Sequence, residues 1–291
     1  MQRSANLKTK IFLDSGSAEH TKIILNKLGF LDGQTTNPTY FIKSNPEVKK
    51  MIEEGHKFTK EELLGKYKIL ANEISALVPN GSVSIEVYAD KNSTAEDLLT
   101  QAHEMNQWIP NAHIKLPIIP AGLETAGKLI AEGIRVNMTL CFSQAQGAAV
   151  YMATRDAKPG QVFLSPFISR LDKIGQNGFD LLLNIQKMFH ALESPVEILA
   201  ASVHSVYDIA HVIEKGMDII TIPYDDVSPW VESGMPFSTS GLEPKDTSGL
   251  AEISYEDLDL SADWRSFDIT HELTDVGLQQ FADDWNGVLA G

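Results

Sequence analysis

In the stretch HIKLP a single lysine, Lys115, sits in the middle of a short apolar run closed by a proline. Lysine is among the residues least often fully buried. Its ammonium is costly to desolvate unless it is paired or gives up its proton. Held among Ile114, Leu116 and Pro117, it is expected to be partly available as a free amine, the form that attacks a carbonyl carbon. Such an amine condenses with a ketone to an iminium, which draws electrons from the neighbouring carbon–carbon bond. Carboxylates must then move the protons, and two lie at the ends of similar runs: Asp14 in KIFLDS and Glu86 in SVSIEV. A second use of the same residues is a buried ion pair in which Lys115 simply neutralises Glu86. Spacing leaves both open.

Eight short β-like runs carry these positions: KIFLDS, GQTTN, SVSIEV, HIKLP, RVNMTL, VFLSPF, EILAAS and IITIPY. Most are separated by segments with helical apolar spacing. SAEHTKIILNKLGF has a stop signal at Gly29, PEVKKMIEEGHKFTKEELLGKYKILANEISALVP is long enough for two helices, and TAEDLLTQAHEMNQWIP opens on a threonine cap. AGLETAGKLIAEGI, SQAQGAAVYMATRD, GFDLLLNIQKMFHAL and SVYDIAHVIEKGM continue the alternation. This pattern predicts a closed parallel (β/α)₈ barrel, the TIM-barrel architecture. An open dinucleotide-binding sheet is disfavoured, because no G-x-G-x-x-G follows the first strand.

In such a barrel the chemistry sits at the C-terminal ends of the strands. Besides Asp14, Glu86 and Lys115, those ends offer Thr36, Asn37, Asn137, Thr139, Ser165, Ser202 and His204, with Arg170 just beyond strand six. The eighth run contributes little before Asp225 and Asp226. Any one of these residues is an ordinary loop cap. Burying a lysine, two acids and two amides in one barrel, however, requires a mutually satisfied network.

The whole chain, residues 1–291, is expected to form a single barrel domain, with a polar extension over 1–9 and a C-terminal loop and helix over 228–291. The loop, rich in Ser, Gly, Pro and acid, is expected to hold at most short helices and to be solvated. LTDVGLQQFADDWNGVL reads as a Thr-capped helix that packs back on the barrel. The 291 residues and 43% hydrophobic content suffice for a large core. A net charge of −15, from 24 Lys+Arg against 39 Asp+Glu, argues against nucleic acid or an anionic membrane as partner. It does not exclude anionic small substrates held in a local basic pocket. One cysteine, Cys141, precludes an intrachain disulfide and reads as a small core residue. The histidines lack H-E-x-x-H spacing, so no metal is expected. The tryptophans read as packing, Trp230 alone being close enough to strand eight to border the site. With no signal peptide or long apolar run, a cytoplasmic protein is expected. A homo-oligomer is allowed but not specified.

TTNP, SIEV, IKLP followed by AGLETAGKLIAEGIRVNMTLCFSQAQ, and LSPFISRLDK together resemble the transaldolase family over about residues 10–224. HELTDVGLQQFADDW resembles its closing helix. The resemblance implies a class I aldolase-type barrel without metal or organic cofactor, acting on sugar phosphates. It implies a transfer of a dihydroxyacetone unit from sedoheptulose 7-phosphate or fructose 6-phosphate to an aldose phosphate, in the pentose phosphate pathway. By it Lys115 matches the Schiff-base lysine, Asp14 the acid/base, and Glu86 with Thr139 the pair that positions a catalytic water. Asn37, Asn137 and Ser165 match residues that hold the ketose hydroxyls, and Arg170 and Ser202 match phosphate-holding positions. Thr36, Phe167 and His204 complete the expected substrate-binding set.

Two departures fall at the phosphate end. After AAS the family usually carries an arginine or lysine two residues beyond the serine, whereas this chain has His204. The SRLDK segment also lacks the glycine often found before its arginine. They leave open a variant with an altered acceptor. A second alternative is a fructose-6-phosphate aldolase that releases free dihydroxyacetone. That branch resembles this pattern with Gln and Tyr where this chain has Glu86 and Phe167, and a carboxylate and an apolar ring offer the enamine fewer proton donors. A third is a silent barrel that only binds a sugar phosphate, against which Lys115, Asp14 and Glu86 stand together.

Overall fold

Strands of a parallel barrel are buried on both faces, so they must be apolar at nearly every position except where the interior is polar. In the computed structural model, which describes residues 3–290, the eight expected runs are all strands. They are β1 (Lys10–Asp14), β2 (Gly33–Thr35), β3 (Ser82–Glu86), β4 (Ala112–Pro117), β5 (Val136–Cys141), β6 (Val162–Pro166), β7 (Glu197–Ala200) and β8 (Ile219–Pro223). They pair in sequence order, all parallel, and β1 closes on β8. The chain is a (β/α)₈ barrel.

Helices α1 (Ala18–Leu28), α2 (Pro38–Ser44), α3 (Pro46–Glu53) and α4 (Lys60–Leu77) precede β3. Around the rest of the barrel run α5 (Ala95–Asn106), α6 (Pro120–Ala131), α7 (Gln144–Ala153), α8 (Ile168–Asp172), α9 (Gly178–Ala191) and α10 (Val206–Glu214). α11 (Tyr224–Glu232), a short 3₁₀ turn at Trp264–Ser266 and α12 (Glu272–Asn286) complete the chain. The start and stop signals act as expected in α1 and α5. Gly29 ends α1 in a left-handed conformation at φ 80°, and Thr94 with Asp97 forms a capping box on α5.

Three expectations need correction. The run GQTTN is not strand to its end: β2 stops at Thr35. Asn37 caps α2 by accepting from the Tyr40 N–H at 2.8 Å, and Pro38 takes the first turn, where a missing N–H costs nothing. α11 forms although Pro229 lies inside it, because Val227, Trp230 and Val231 bury one face. Trp230 is fully buried and donates from Nε1 to the Pro236 carbonyl, so it packs and does not border the site. The cap of α12 lies three residues before the expected threonine. His271 caps it through Nδ1, and Thr274 is a buried helical residue donating to the Leu140 carbonyl at 3.0 Å.

The lower barrel is filled by rings. Phe12 meets Phe163 edge-on at 5.9 Å, and His113 stacks on Phe163 at 3.9 Å. Gly33 makes room for Phe12: a Cβ there would sit 2.6 Å from its ring. His113 shares a hydrogen bond with Ser82 Oγ at 2.7 Å and lies 3.0 Å from the Gly160 carbonyl. Burial lowers its pKa to about 3. The folded state therefore refuses a proton that the unfolded chain accepts below an ordinary histidine value of ~6.5. Stability present above that pH is lost as pH falls, by about 1.4 kcal/mol per unit from this group. Urea midpoints measured from pH 7 to 5 are expected to fall less steeply in His113→Gln than in the parent, and parallel curves would refute this assignment.

The C-terminal segment lies across the barrel mouth and over the helices. Phe58 N–H donates to the Val288 carbonyl and Ala290 N–H to that of Phe58, while Thr39 bonds to Asp284. The acidic loop is mostly exposed but is pinned by Lys245, which reaches Asp172 at 2.7 Å and Asp208 at 3.0 Å. No helix of the described residues is long and apolar enough to cross a membrane.

Candidate active site

Register places Glu86 beside Lys115 and Lys115 beside Asn137, so three neighbouring strands aim these side chains into the barrel at one level. Lys115 is buried, with Nζ 2.9 Å from Glu86 Oε2 and donating to the Thr36 carbonyl at 3.3 Å. The ion pair open from sequence does exist. It does not exclude chemistry, because the partner carboxylate is also the nearest place for the ammonium proton to go. Burial raises the Glu86 pKa, and Lys115 pulls it back only in part.

Asp14 lies across the mouth at the end of β1. Its Oδ1 accepts from Thr35 Oγ1 at 2.7 Å, and Thr35 is 2.6 Å from Thr221 Oγ1. That chain engages one carboxylate oxygen of Asp14, which lines the cavity. Burial raises the Asp14 pKa, with Lys115 and the Thr35 hydrogen bond opposing.

These residues surround a cavity of about 320 Å³, within the ~300–1,000 Å³ common for small-ligand pockets. Of the expected set, Asp14, Asn37, Lys115, Ser165, Phe167, Arg170, Ser202 and His204 line it. Asn137 accepts from Ser165 Oγ at 2.7 Å and donates to Ser84 Oγ at 3.0 Å, so it orients Ser165. Glu86, Asn137 and Thr139 are buried and do not line the cavity. Thr139 Oγ1 finds no partner among the described residues, which leaves it a hydrogen bond to offer. Thr36 is a partial correction. Its hydroxyl is committed to Tyr67 and the Ser84 carbonyl on the outer side, and only its carbonyl reaches Lys115. Cys141 is buried core, its thiol pushed up to about 12 by burial.

The two departures from the family pattern have local explanations. Ser169, which replaces the usual glycine, donates from both N–H and Oγ to the Ser202 carbonyl, at 3.1 and 2.6 Å. This ties α8 to the loop after β7, where Ser202 holds a left-handed φ of 55°. His204 Nδ1 lies 3.1 Å from Asp226 on α11, so a carboxylate accompanies the histidine. Arg170 is held between rings, its Cζ 5.1 Å from the Phe167 centroid and 5.9 Å from that of Phe281.

Among the cavity residues absent from the strand-end reading are Tyr40, Lys173, Gln280 and Phe281. They come from helices that cross the mouth. α12 can approach because residue 277 is glycine, where a Cβ would meet Leu140 Cδ2 at 2.6 Å and Arg170 Nη1 at 2.9 Å. Leu140 itself sits at φ 63° in an irregularity at the end of β5, which turns the strand end towards α12. Gly277→Ala is therefore expected to destabilise by about 1–2 kcal/mol despite better helix propensity. Gly65→Ala, where a Cβ meets nothing within 4 Å, is expected to stabilise by up to about 1 kcal/mol. Denaturation midpoints moving in the same direction would contradict the packing argument.

The model of the transaldolase/fructose-6-phosphate aldolase family matches residues 11–291. The chain belongs to this family. A probable transaldolase of Dehalococcoides mccartyi is 34% identical over 233 residues, covering 80% of this chain and 94% of its own. One of Bartonella henselae is 31% identical over 276 residues, covering 95% and 96%. A probable transaldolase 2 of Listeria monocytogenes is 35% identical over 214 residues, covering 74% and 84%. Family members thus match nearly the whole chain, α12 included.

Proposed function

We propose that this family member is a transaldolase working through a Schiff base on Lys115. The observation that carries the reading is the buried contact of Lys115 Nζ with Glu86 Oε2 at 2.9 Å, at a cavity that Asp14 also lines. The ammonium passes a proton to Glu86, and the free amine adds to the ketose carbonyl. Protonation of the carbinolamine hydroxyl releases water and leaves the iminium. Asp14 takes the proton of the hydroxyl one carbon beyond the scissile bond, and the bond's electron pair moves into the iminium to give an enamine. An aldose leaves. The enamine then attacks an acceptor aldehyde, Asp14 returns its proton to the new alkoxide, and water hydrolyses the iminium. Ser165 and Asn37 can bond the ketose hydroxyls, while Arg170 and Ser202 suit a phosphate.

Glu86 and Phe167 support transfer over release of dihydroxyacetone, because the Phe167 ring has no proton to give and Glu86, once it has protonated the carbinolamine hydroxyl, is a carboxylate when the enamine forms. Two measurements test the reading. Borohydride with fructose 6-phosphate is expected to label Lys115 with a dihydroxyacetone-derived adduct, and a label on Lys128 or none would overturn the mechanism. Product analysis is expected to give fast transfer with erythrose 4-phosphate and slow dihydroxyacetone release without it. Comparable rates would assign the aldolase activity instead.

A further inference from the structure

The charges around the cavity do not balance where a phosphate would sit. Lys115 is paired with Glu86, and His204 lies 3.1 Å from Asp226, so each carries its own carboxylate. Two cations lining the same cavity have no ion-pair partner among the described residues: Arg170 in α8 and Lys173, which caps the C-terminus of that helix. They stand three residues apart, a spacing that puts two side chains on one side of a helix. The one carboxylate between them, Asp172, is removed from their reach. Its Oδ2 is held by Lys245 at 2.7 Å and its Oδ1 by the Gly178 N–H at 3.0 Å. The loop that carries Lys245 thus keeps the α8 acid from quenching the α8 cations.

We propose that Lys173 is the second phosphate-binding cation of this site, standing in for the basic residue that His204 replaces. It is a specificity-determining residue for substrates with an anionic terminus, and it takes no part in bond breaking. This rests on the transaldolase reading for the identity of the substrate, but the anion site follows from the charges alone. Arg170, fixed between two rings, supplies a directed guanidinium, and Lys173, on a flexible stem, supplies a compact charge beside it.

The test compares the parent with Lys173→Ala, Lys173→Glu and Lys173→Arg. KM for fructose 6-phosphate is expected to rise about threefold to tenfold in Lys173→Ala and further in Lys173→Glu, with kcat little changed. The size reflects one charge-assisted contact discounted for exposure. Lys173→Arg is expected to stay near the parent, and KM for unphosphorylated fructose should not respond to any of the three. Installing His204→Arg together with Asp226→Asn, which removes the carboxylate that would pair with it, in the Lys173→Ala background is expected to recover the lost affinity. A KM for fructose 6-phosphate unchanged in Lys173→Glu, or an equal rise for fructose, would overturn the proposal. Calorimetric titration with inorganic phosphate reads the same site without turnover. Weaker phosphate binding in Lys173→Glu supports the proposal even if the parent transfers nothing, which would overturn only the transaldolase reading. Phosphate affinity equal in parent and Lys173→Glu overturns the proposal whatever the activity.

Discussion

Lys115→Met is expected to abolish turnover, a loss of at least about 10⁴-fold, because no other amine in the cavity is placed to form the covalent intermediate. It is also expected to weaken the fold, and the weakening should grow with pH. Lys115 is the counter-ion of Glu86, and both are buried. Removing one member of a buried pair commonly costs ~3–5 kcal/mol, because the other charge is left uncompensated. Glu86, whose pKa burial already raises, can escape part of this by taking a proton. The unfolded chain, ionised above the ordinary carboxylate range, then gains on the folded variant by about 1.4 kcal/mol per pH unit. The stability gap between parent and Lys115→Met is expected to be small near pH 5 and to widen towards pH 8. A gap independent of pH would mean that Glu86 is not the group left alone. Lys115→Met, Glu86→Gln together should close it.

Much of this site was legible because a parallel barrel writes its active site at strand ends. Most strands are largely apolar and carry a polar residue near the C-terminal end, so Asp14, Lys115 and Ser165 stand out without any tertiary information. The same rule misjudges depth. Asn137 and Thr139 are fully buried and do not line the cavity, although register sets Asn137 beside Lys115 and Thr139 beside Pro117. It also misses whatever comes from elsewhere. Phe281 and Gln280 arrive on α12, more than a hundred residues after the lysine, and nothing local in their sequence points at the barrel mouth. Tyr40 was hidden by a different error. The run GQTTN reads as strand up to Asn37, although Asn-Pro is itself a cap-and-first-turn signal for the helix that carries Tyr40. The pairing of His204 with Asp226 needed the fold, because twenty-two residues and a strand separate them.

Asp14→Asn is the second substitution with a large expected effect, and it separates bond cleavage from imine formation. The amide keeps the side chain's shape and can still accept from Thr35 Oγ1, the contact that orients Asp14 at 2.7 Å. It cannot take the hydroxyl proton. Loss of a positioned general base typically lowers kcat by ~10²–10⁴-fold. Lys115 and Glu86 remain, so the ketose should still condense. Borohydride is then expected to trap an adduct containing the whole hexose phosphate, where the parent yields the cleaved fragment. The pH profile gives a second reading. Burial raises the Asp14 pKa, and only the ionised form can act as base. Parental activity should therefore be lost as pH falls, with a limb above the range of an ordinary aspartate. That limb should be missing from the residual activity of Asp14→Asn. If the variant trapped the cleaved fragment at the parental rate, or kept kcat within about tenfold of the parent, the base would have to be sought elsewhere on the cavity wall. Tyr40 is the group to examine then. Its phenol lines the same cavity, and burial together with the negative charge of Asp14 raises its pKa. It would stay protonated and could donate, but it could not serve as the base.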